Sequence, residues 1–86
     1  MTIRYSKKFK KQYGRLSPKL QQKTKNAISL WDDNSKDESL RLHRLSGKMK
    51  RFYSIDVTGD VRALYEVIDK EVYLFQMVGT HSQLYG

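Results

Sequence analysis

Phe52-Tyr53-Ser54-Ile55-Asp56-Val57, Val61-Arg62-Ala63-Leu64-Tyr65-Glu66-Val67-Ile68 and Val72-Tyr73-Leu74-Phe75-Gln76-Met77-Val78 are three apolar runs separated only by short polar turns at Thr58-Gly59-Asp60 and Asp69-Lys70. Connectors of that length close hairpins, so the runs are expected to form an antiparallel meander. Period-two alternation puts Tyr53, Ile55 and Val57 on one face of the first strand and Phe52, Ser54 and Asp56 on the other. In the second strand Val61, Ala63, Tyr65 and Val67 alternate with Arg62, Leu64, Glu66 and Ile68. One face is expected to bury itself; the other carries Asp56 and Arg62 and is expected to be partly open.

What covers the buried face lies upstream. Thr2-Ile3-Arg4-Tyr5-Ser6 alternates briefly and reads as an opening strand. Ser6 can cap a helix running to Leu16, with Phe9, Tyr13 and Leu16 on one stripe and Lys7, Lys8, Lys10, Lys11 and Arg15 on the remaining faces. Ser17-Pro18 restarts the chain, because serine caps well and proline loses nothing at the first helical position. The second helix is expected from Pro18 to about Trp31, its inner face made of Leu20, Thr24, Ala27, Ile28 and Trp31. Asp32-Asp33-Asn34-Ser35-Lys36-Asp37-Glu38-Ser39 then breaks it as a solvated loop. The fold class is therefore α+β in two layers, an N-terminal strand and αα-hairpin packed on an antiparallel sheet of about four strands.

At 86 residues the chain is read as one domain over 1–86, burying about 60 to 65% of its unfolded surface. Without cysteine there is no disulfide, thiolate metal site or cysteine nucleophile. With only two histidines a structural zinc site is not expected, and the residues call for no metal and no cofactor. Neither a signal-peptide core nor a membrane-spanning run is present in the sequence, so a soluble intracellular protein that does not engage membranes is expected.

Charge is the strongest bulk signal: net +8 with a pI near 9.8. Residues 1–51 carry 15 basic and 4 acidic side chains, a surplus of +11, whereas residues 52–86 carry 2 and 5, a deficit of −3. Such a field favours a polyanion through counterion release, although charge alone does not separate RNA from DNA, an acidic protein or a membrane surface. Its densest part is Leu40-Arg41-Leu42-His43-Arg44-Leu45-Ser46-Gly47-Lys48-Met49-Lys50-Arg51, which interleaves leucines with five basic residues and a histidine before turning at Gly47. Gly79-Thr80-His81-Ser82-Gln83-Leu84-Tyr85 follows the third strand and sets a histidine four residues from a tyrosine. His titrates near neutrality, and Tyr can stack on a base.

The runs His43-x-Leu45-x-Gly47, Tyr53-Ser54-Ile55-x-Val57-x-Gly59-Asp60-x-Arg62-Ala63-Leu64-Tyr65 and Gly79-Thr80-His81-Ser82-x-Leu84-Tyr85 resemble the RelE/ParE superfamily of bacterial type II toxins. The Gly-Thr-His-Ser-x-Leu-aromatic ending is most similar to the YafQ-like branch. The resemblance covers the whole chain in order and length, the helices matching only in pattern. It implies a RelE-like fold and a cytoplasmic, ribosome-dependent endoribonuclease. Such a toxin enters the ribosomal A site, cuts translated mRNA without a metal, and is silenced by a cognate antitoxin.

Carried over by position, the resemblance makes His81 the C-terminal catalytic histidine and Tyr85 the aromatic that supports an mRNA base. His43 matches the histidine that opens the basic linker, and Asp60 the acidic residue ahead of the second strand. Arg62 matches the arginine that more distant members use on the scissile phosphate, and Lys48, Lys50 and Arg51 stand where basic side chains lie near RNA. Attack by the RNA's own 2′-hydroxyl needs a base, a cation for the phosphorane and an acid for the leaving 5′-oxygen, and these residue types supply all three.

One position departs from the pattern. Asp56 stands where the branch has a histidine; an aspartate there can act as a base, or it can pair with Arg62 and repel phosphate. Plain structural readings stand beside the chemical ones: Asp60 as a turn residue, His43 as a packed or solvated side chain, Arg62 as a partner of Asp56 or Glu66. Two other functions follow from the same superfamily, a ParE-like inhibitor of DNA gyrase that needs no nuclease site, and a degenerate toxin acting only as an antitoxin- or RNA-binding module.

Overall fold

The computed structural model describes Thr2–Tyr85; Met1 and Gly86 lie outside the described residues. In chain order the elements are β1 (Thr2–Tyr5), α1 (Lys7–Gly14), α2 (Pro18–Asp33), β2 (His43–Arg44), β3 (Tyr53–Asp56), β4 (Val61–Asp69), β5 (Val72–Thr80) and α3 (His81–Tyr85), with 3₁₀ turns at Glu38–Leu40 and Gly47–Met49. Both expected helix starts are present. Ser6 Oγ accepts from Phe9 N–H at 2.9 Å, and Ser17 Oγ from Leu20 N–H at 3.2 Å with Pro18 just inside the helix.

The strands form one sheet in the order β1-β5-β4-β3-β2, so five strands stand where about four were expected. The additional one is the two-residue β2, whose His43 and Arg44 pair antiparallel with Ser54 and Tyr53. The sheet is also mixed, because β1 runs parallel to β5 with Thr2 opposite Val72 and Tyr5 opposite Phe75. Where β1 ends, α1 takes over the edge of β5. Ser6 N–H donates to the Phe75 carbonyl at 3.0 Å, Ser6 Oγ–H to the Gln76 carbonyl at 3.1 Å, and Val78 N–H donates to Gln12 Oε1 at 2.9 Å. Strand groups that a bare edge would leave open are thus satisfied by one helix.

The αα-hairpin packs on the sheet as the sequence implies. Phe9, Ala27, Ile28 and Trp31 share a core with Ile55, Ala63, Tyr65, Phe75 and Val78. Trp31 is its hub, with ring centroids 4.8 Å from Tyr65, 5.2 Å from Tyr73 and 5.2 Å from Phe75. The other face is less open than expected. Phe52, Ser54 and Leu64 are fully buried although none belongs to that core. Alternation places them on the side opposite Ile55 and Ala63, so the sheet buries residues on both faces near its middle and stays accessible toward its ends.

Candidate active site

At one end of the sheet three strands align a row of residues: Asp56 on β3 is opposite Arg62 on β4, and Arg62 is opposite Gly79 on β5. Asp56 Oδ1 lies 3.1 Å from Arg62 Nε, and neither side chain is freely solvated, at 11% and 20% exposure. Arg62 Nη1 donates to the carbonyls of Thr58 at 3.2 Å and Gly59 at 2.9 Å. The arginine therefore braces the very hairpin that precedes it. Of the two acidic partners considered from the sequence, Asp56 is the one it takes; Glu66 pairs instead with Arg51, at 3.4 Å.

The β3–β4 turn is closed by Val57 N–H and Thr58 N–H, which both donate to the Val61 carbonyl at 2.8 and 3.1 Å. Thr58 Oγ1 accepts from Asp60 N–H at 3.2 Å and Val61 N–H at 3.0 Å, a side-chain turn that competes well for such donors. Asp60 is thereby held in place with its residue exposed.

Across the row, Val61 is opposite Thr80, so Asp60 and His81 each stand one residue beyond the last strand pair. The segment after Thr80 is a helix, not an irregular tail. Thr80 N–H donates to Gln83 Oε1 at 2.8 Å and Gln83 N–H donates to Thr80 Oγ1 at 3.2 Å, a reciprocal capping box. The helical spacing then brings His81 and Tyr85 onto one side, ring centroids 4.6 Å apart and inclined at 59°. Both residues are exposed.

His43 approaches from the other edge, opposite Ser54 and therefore on the face that carries Asp56. Its Nδ1 is 2.8 Å from the Arg41 carbonyl. A carbonyl only accepts, so Nδ1 carries a proton, and the tautomer of the neutral ring that makes this bond has its lone pair at Nε2. The same Arg41 sends its guanidinium to Asp56, Nε to Oδ2 at 3.8 Å.

The basic segment is pinned to the sheet by two of its arginines. Arg44 lies over the Tyr53 ring at 5.7 Å and donates from Nε to the Lys50 carbonyl at 2.7 Å; Arg51 lies over the Phe52 ring at 4.8 Å. Gly47, at φ +63°, supplies the left-handed residue this turn needs. Lys48 and Lys50 are left exposed on it.

Asp56, Asp60, Arg62, His81 and Tyr85 are thus brought to one end of β3–β5, with His43 on the neighbouring edge and Lys48, Lys50 and Arg51 on the turn that leads into β3. The sequence reading passed over Gln83, Thr58 and Arg41. Thr80-x-x-Gln83 is a capping pattern that could have revealed α3, whereas nothing local marks Arg41. A cavity of about 510 Å³ lies elsewhere, among Ile3, Phe9, Tyr13 and Ile28 beneath α1 and α2, and touches none of these residues.

Several solved structures share this arrangement of elements. The crystal structure of YafQ from E. coli strain BL21(DE3) superposes with a TM-score of 0.83 at 23% identity, covering 98% of this chain and 97% of that one. YafQ in the E. coli DinJ-YafQ toxin-antitoxin complex gives 0.80 at 24% identity, covering 98% and 96%. The RelB-RelE antitoxin-toxin complex from Methanococcus jannaschii gives 0.73 at 20% identity, covering 95% and 94%. No curated protein sequence matches this one. At these identities the superpositions establish the fold alone. The family is established by sequence: residues 1–86 match the family described as the bacterial toxin of type II toxin-antitoxin system, YafQ. This chain belongs to the YafQ family of type II toxins.

Proposed function

We propose that this toxin is an endoribonuclease that cuts mRNA on the ribosome, and that a cognate antitoxin silences it. The observation that supports this best is the order of side chains across the sheet. Arg62 on β4 lies between β2, which carries His43, and β5, which leads into His81. In-line attack on phosphorus requires base and acid on opposite sides of the phosphate. His43 is level with Met77 in the register and His81 stands four residues further on, so the two imidazoles approach Arg62 from opposite sides along a diagonal of this end of the sheet.

In this reading His43 Nε2 takes the proton from the 2′-hydroxyl, whose oxygen bonds to phosphorus. Arg62 faces the charge that builds on the non-bridging oxygens. His81 gives a proton to the departing 5′-oxygen, leaving a 2′,3′-cyclic phosphate and a 5′-hydroxyl. Asp60 stands level with His81 just past the last strand pair, and Tyr85 offers a stacking surface to a neighbouring base. Asp56 is given no proton to move here, because both oxygens of its carboxylate already face arginines. Lys48, Lys50 and Arg51 hold the RNA backbone, and the ribosome supplies further positioning of the message.

The antitoxin is expected to carry an acidic segment that covers the basic turn. E. coli YafQ and M. jannaschii RelE are each solved with an antitoxin. Among the described residues no helix is long and apolar enough to cross a membrane. Action on ribosomes places the toxin in the bacterial cytoplasm.

The test is cleavage of a defined mRNA on programmed ribosomes, mapped at its 5′ ends, with wild type, His81→Ala and free RNA side by side. Ribosome-dependent cuts that disappear in His81→Ala, and on a message carrying a 2′-deoxy sugar at the cut site, are expected. Intact message with folded wild type overturns the proposal and leaves the gyrase-directed and purely binding readings to be assayed.

A further inference from the structure

Arg41 holds an unusual position for an arginine. Its φ is +47°, in the left-handed region that residues with a Cβ seldom occupy, where it ends the 3₁₀ turn Glu38–Leu40 with its N–H on the Glu38 carbonyl at 3.1 Å. That conformation engages both ends of the residue. The carbonyl accepts from His43 Nδ1, and the guanidinium reaches Asp56 on the oxygen that Arg62 does not use, Oδ2 against Oδ1. One carboxylate, 11% exposed, thus carries an arginine on each oxygen.

The donors left over decide what this pair can do. Arg62 has committed Nε to Asp56 and Nη1 to two turn carbonyls, so only Nη2 remains for a ligand. A phosphorane has two charged non-bridging oxygens, and Nη2 alone cannot offer them the two-nitrogen fork with which a free guanidinium grips such a group. Among the described residues Arg41 is engaged only through Nε, and with its side chain 76% exposed its terminal nitrogens are open to a ligand. Two guanidiniums against one carboxylate leave a net positive charge, so Asp56 does not neutralise the site.

We propose that Arg41 is a second phosphate-binding residue, paired with Arg62 into a two-arginine clamp whose spacing Asp56 sets. The ligand is the RNA phosphodiester of the reading above, on which this inference rests. An aspartate where the branch has histidine is then a spacer between two cations, not a lost base.

The probe is a single-stranded RNA hexamer 2′-O-methylated throughout, which cannot be cleaved, bound to the full chain without ribosomes and followed by fluorescence anisotropy over a range of salt. Arg41→Ala is expected to weaken binding about fivefold to tenfold and to lower the salt slope by about 0.7, the value for one single-strand phosphate contact. Lys36→Ala, which removes the same charge from an exposed loop, is expected to change affinity less than about twofold, the size of an unspecific charge effect. Arg41→Lys is expected to keep the slope while recovering only part of the affinity, since the fork is lost. In an Asp56→Asn background the Arg41→Ala effect is expected to shrink to less than about twofold, because the spacer is gone. Circular dichroism establishes that each variant is folded, and Arg41→Lys and Asp56→Asn carry the test if Arg41→Ala is not. Equal effects of Arg41→Ala and Lys36→Ala, or an Arg41→Ala effect undiminished by Asp56→Asn, overturn the clamp. Arg41-dependent binding by a wild type that cuts nothing on ribosomes overturns only the nuclease reading; unchanged binding by an Arg41→Ala protein that still cuts overturns only the clamp.

Discussion

Thr80 and Gln83 cap one another, backbone N–H to side-chain oxygen in both directions, at 2.8 and 3.2 Å. The helix they start has five residues, too few to persist through its own hydrogen bonds. The orientation of His81 therefore depends on Gln83. Gln83→Ala is expected to lower global stability by only about 1 kcal/mol, the usual value of a cap. The His81–Tyr85 ring contact should nevertheless disappear from NOE spectra, and cleavage on ribosomes should fall more than about tenfold, as for a misplaced catalytic group. Gln83→Glu, which preserves the capping box, should retain both.

Gly79 is tied to the same cap. A Cβ built on it would sit 2.8 Å from Gln83 Oε1, so an alanine must push that side chain aside. Because the obstacle is the end of a flexible side chain, Gly79→Ala should fold, with the same loss of the ring contact as Gln83→Ala. Combining the two should add less than about 0.5 kcal/mol to the larger single effect, since they break one interaction. Full additivity in urea denaturation would show that Gly79 serves a separate purpose.

Much of this fold is legible locally. Ser6, Ser17-Pro18 and the three-residue Thr58-Gly59-Asp60 connector each act on neighbours in sequence, and each appears as read. The parts that were not legible are made by distant pairings. Nothing in Thr2–Tyr5 announces a parallel partner 70 residues on, opposite Val72–Phe75. His43-Arg44 is too short for a period to show. Register shifts leave an extra residue on β5 at Gln76, between Phe75 and Met77, and on β4 at Ile68, between Val67 and Asp69, and break the simple alternation there. The burial of Phe52 and Leu64 likewise depends on what folds over them. The same division runs through the site. His81, Asp60 and Arg62 were reached through residues near them in sequence, whereas Arg41 joins through a left-handed turn and a carboxylate fifteen positions away, both tertiary facts.

Burial raises the Tyr65 hydroxyl above its ordinary value of 10.0, opposed by the Trp31 indole and reinforced by Tyr53 and Tyr73. The folded protein thus keeps a proton that the unfolded chain gives up from about pH 10 upward. Its stabilising contribution is complete below that value and is lost as pH rises through the folded one. Tyr5 shifts the same way, through burial and then Asp32 and Tyr13, and adds to the trend. Urea midpoints should therefore fall between about pH 9 and pH 11. Tyr65→Phe, which keeps the ring, should make that fall shallower; an unchanged slope would remove Tyr65 from the account.

Phe75 is fully buried among Tyr5, Phe9, Trp31 and Tyr65, with centroid separations of 5.2 to 6.0 Å. Phe75→Ala should destabilise by about 3–5 kcal/mol, a large share of what a domain this small possesses. Val67→Ala on the exposed end of β4 should stay within about 0.5 kcal/mol. The contrast is read from paired urea melts, and comparable losses would mean that the core is centred elsewhere.

The hydrogen bond from His43 to the Arg41 carbonyl fixes a tautomer, and that is measurable without any substrate. In its neutral form the ring should carry its proton on Nδ1, so long-range ¹H–¹⁵N spectra should show a protonated-type Nδ1 and a free-base-type Nε2. The Nε2 lone pair is what a general base toward the 2′-hydroxyl requires. If Nε2 carries the proton instead, the Arg41 carbonyl does not hold the ring and His43 lacks an oriented base. His43→Gln should then leave ribosomal cleavage within about twofold of wild type, whereas an oriented base predicts a loss of about a hundredfold or more.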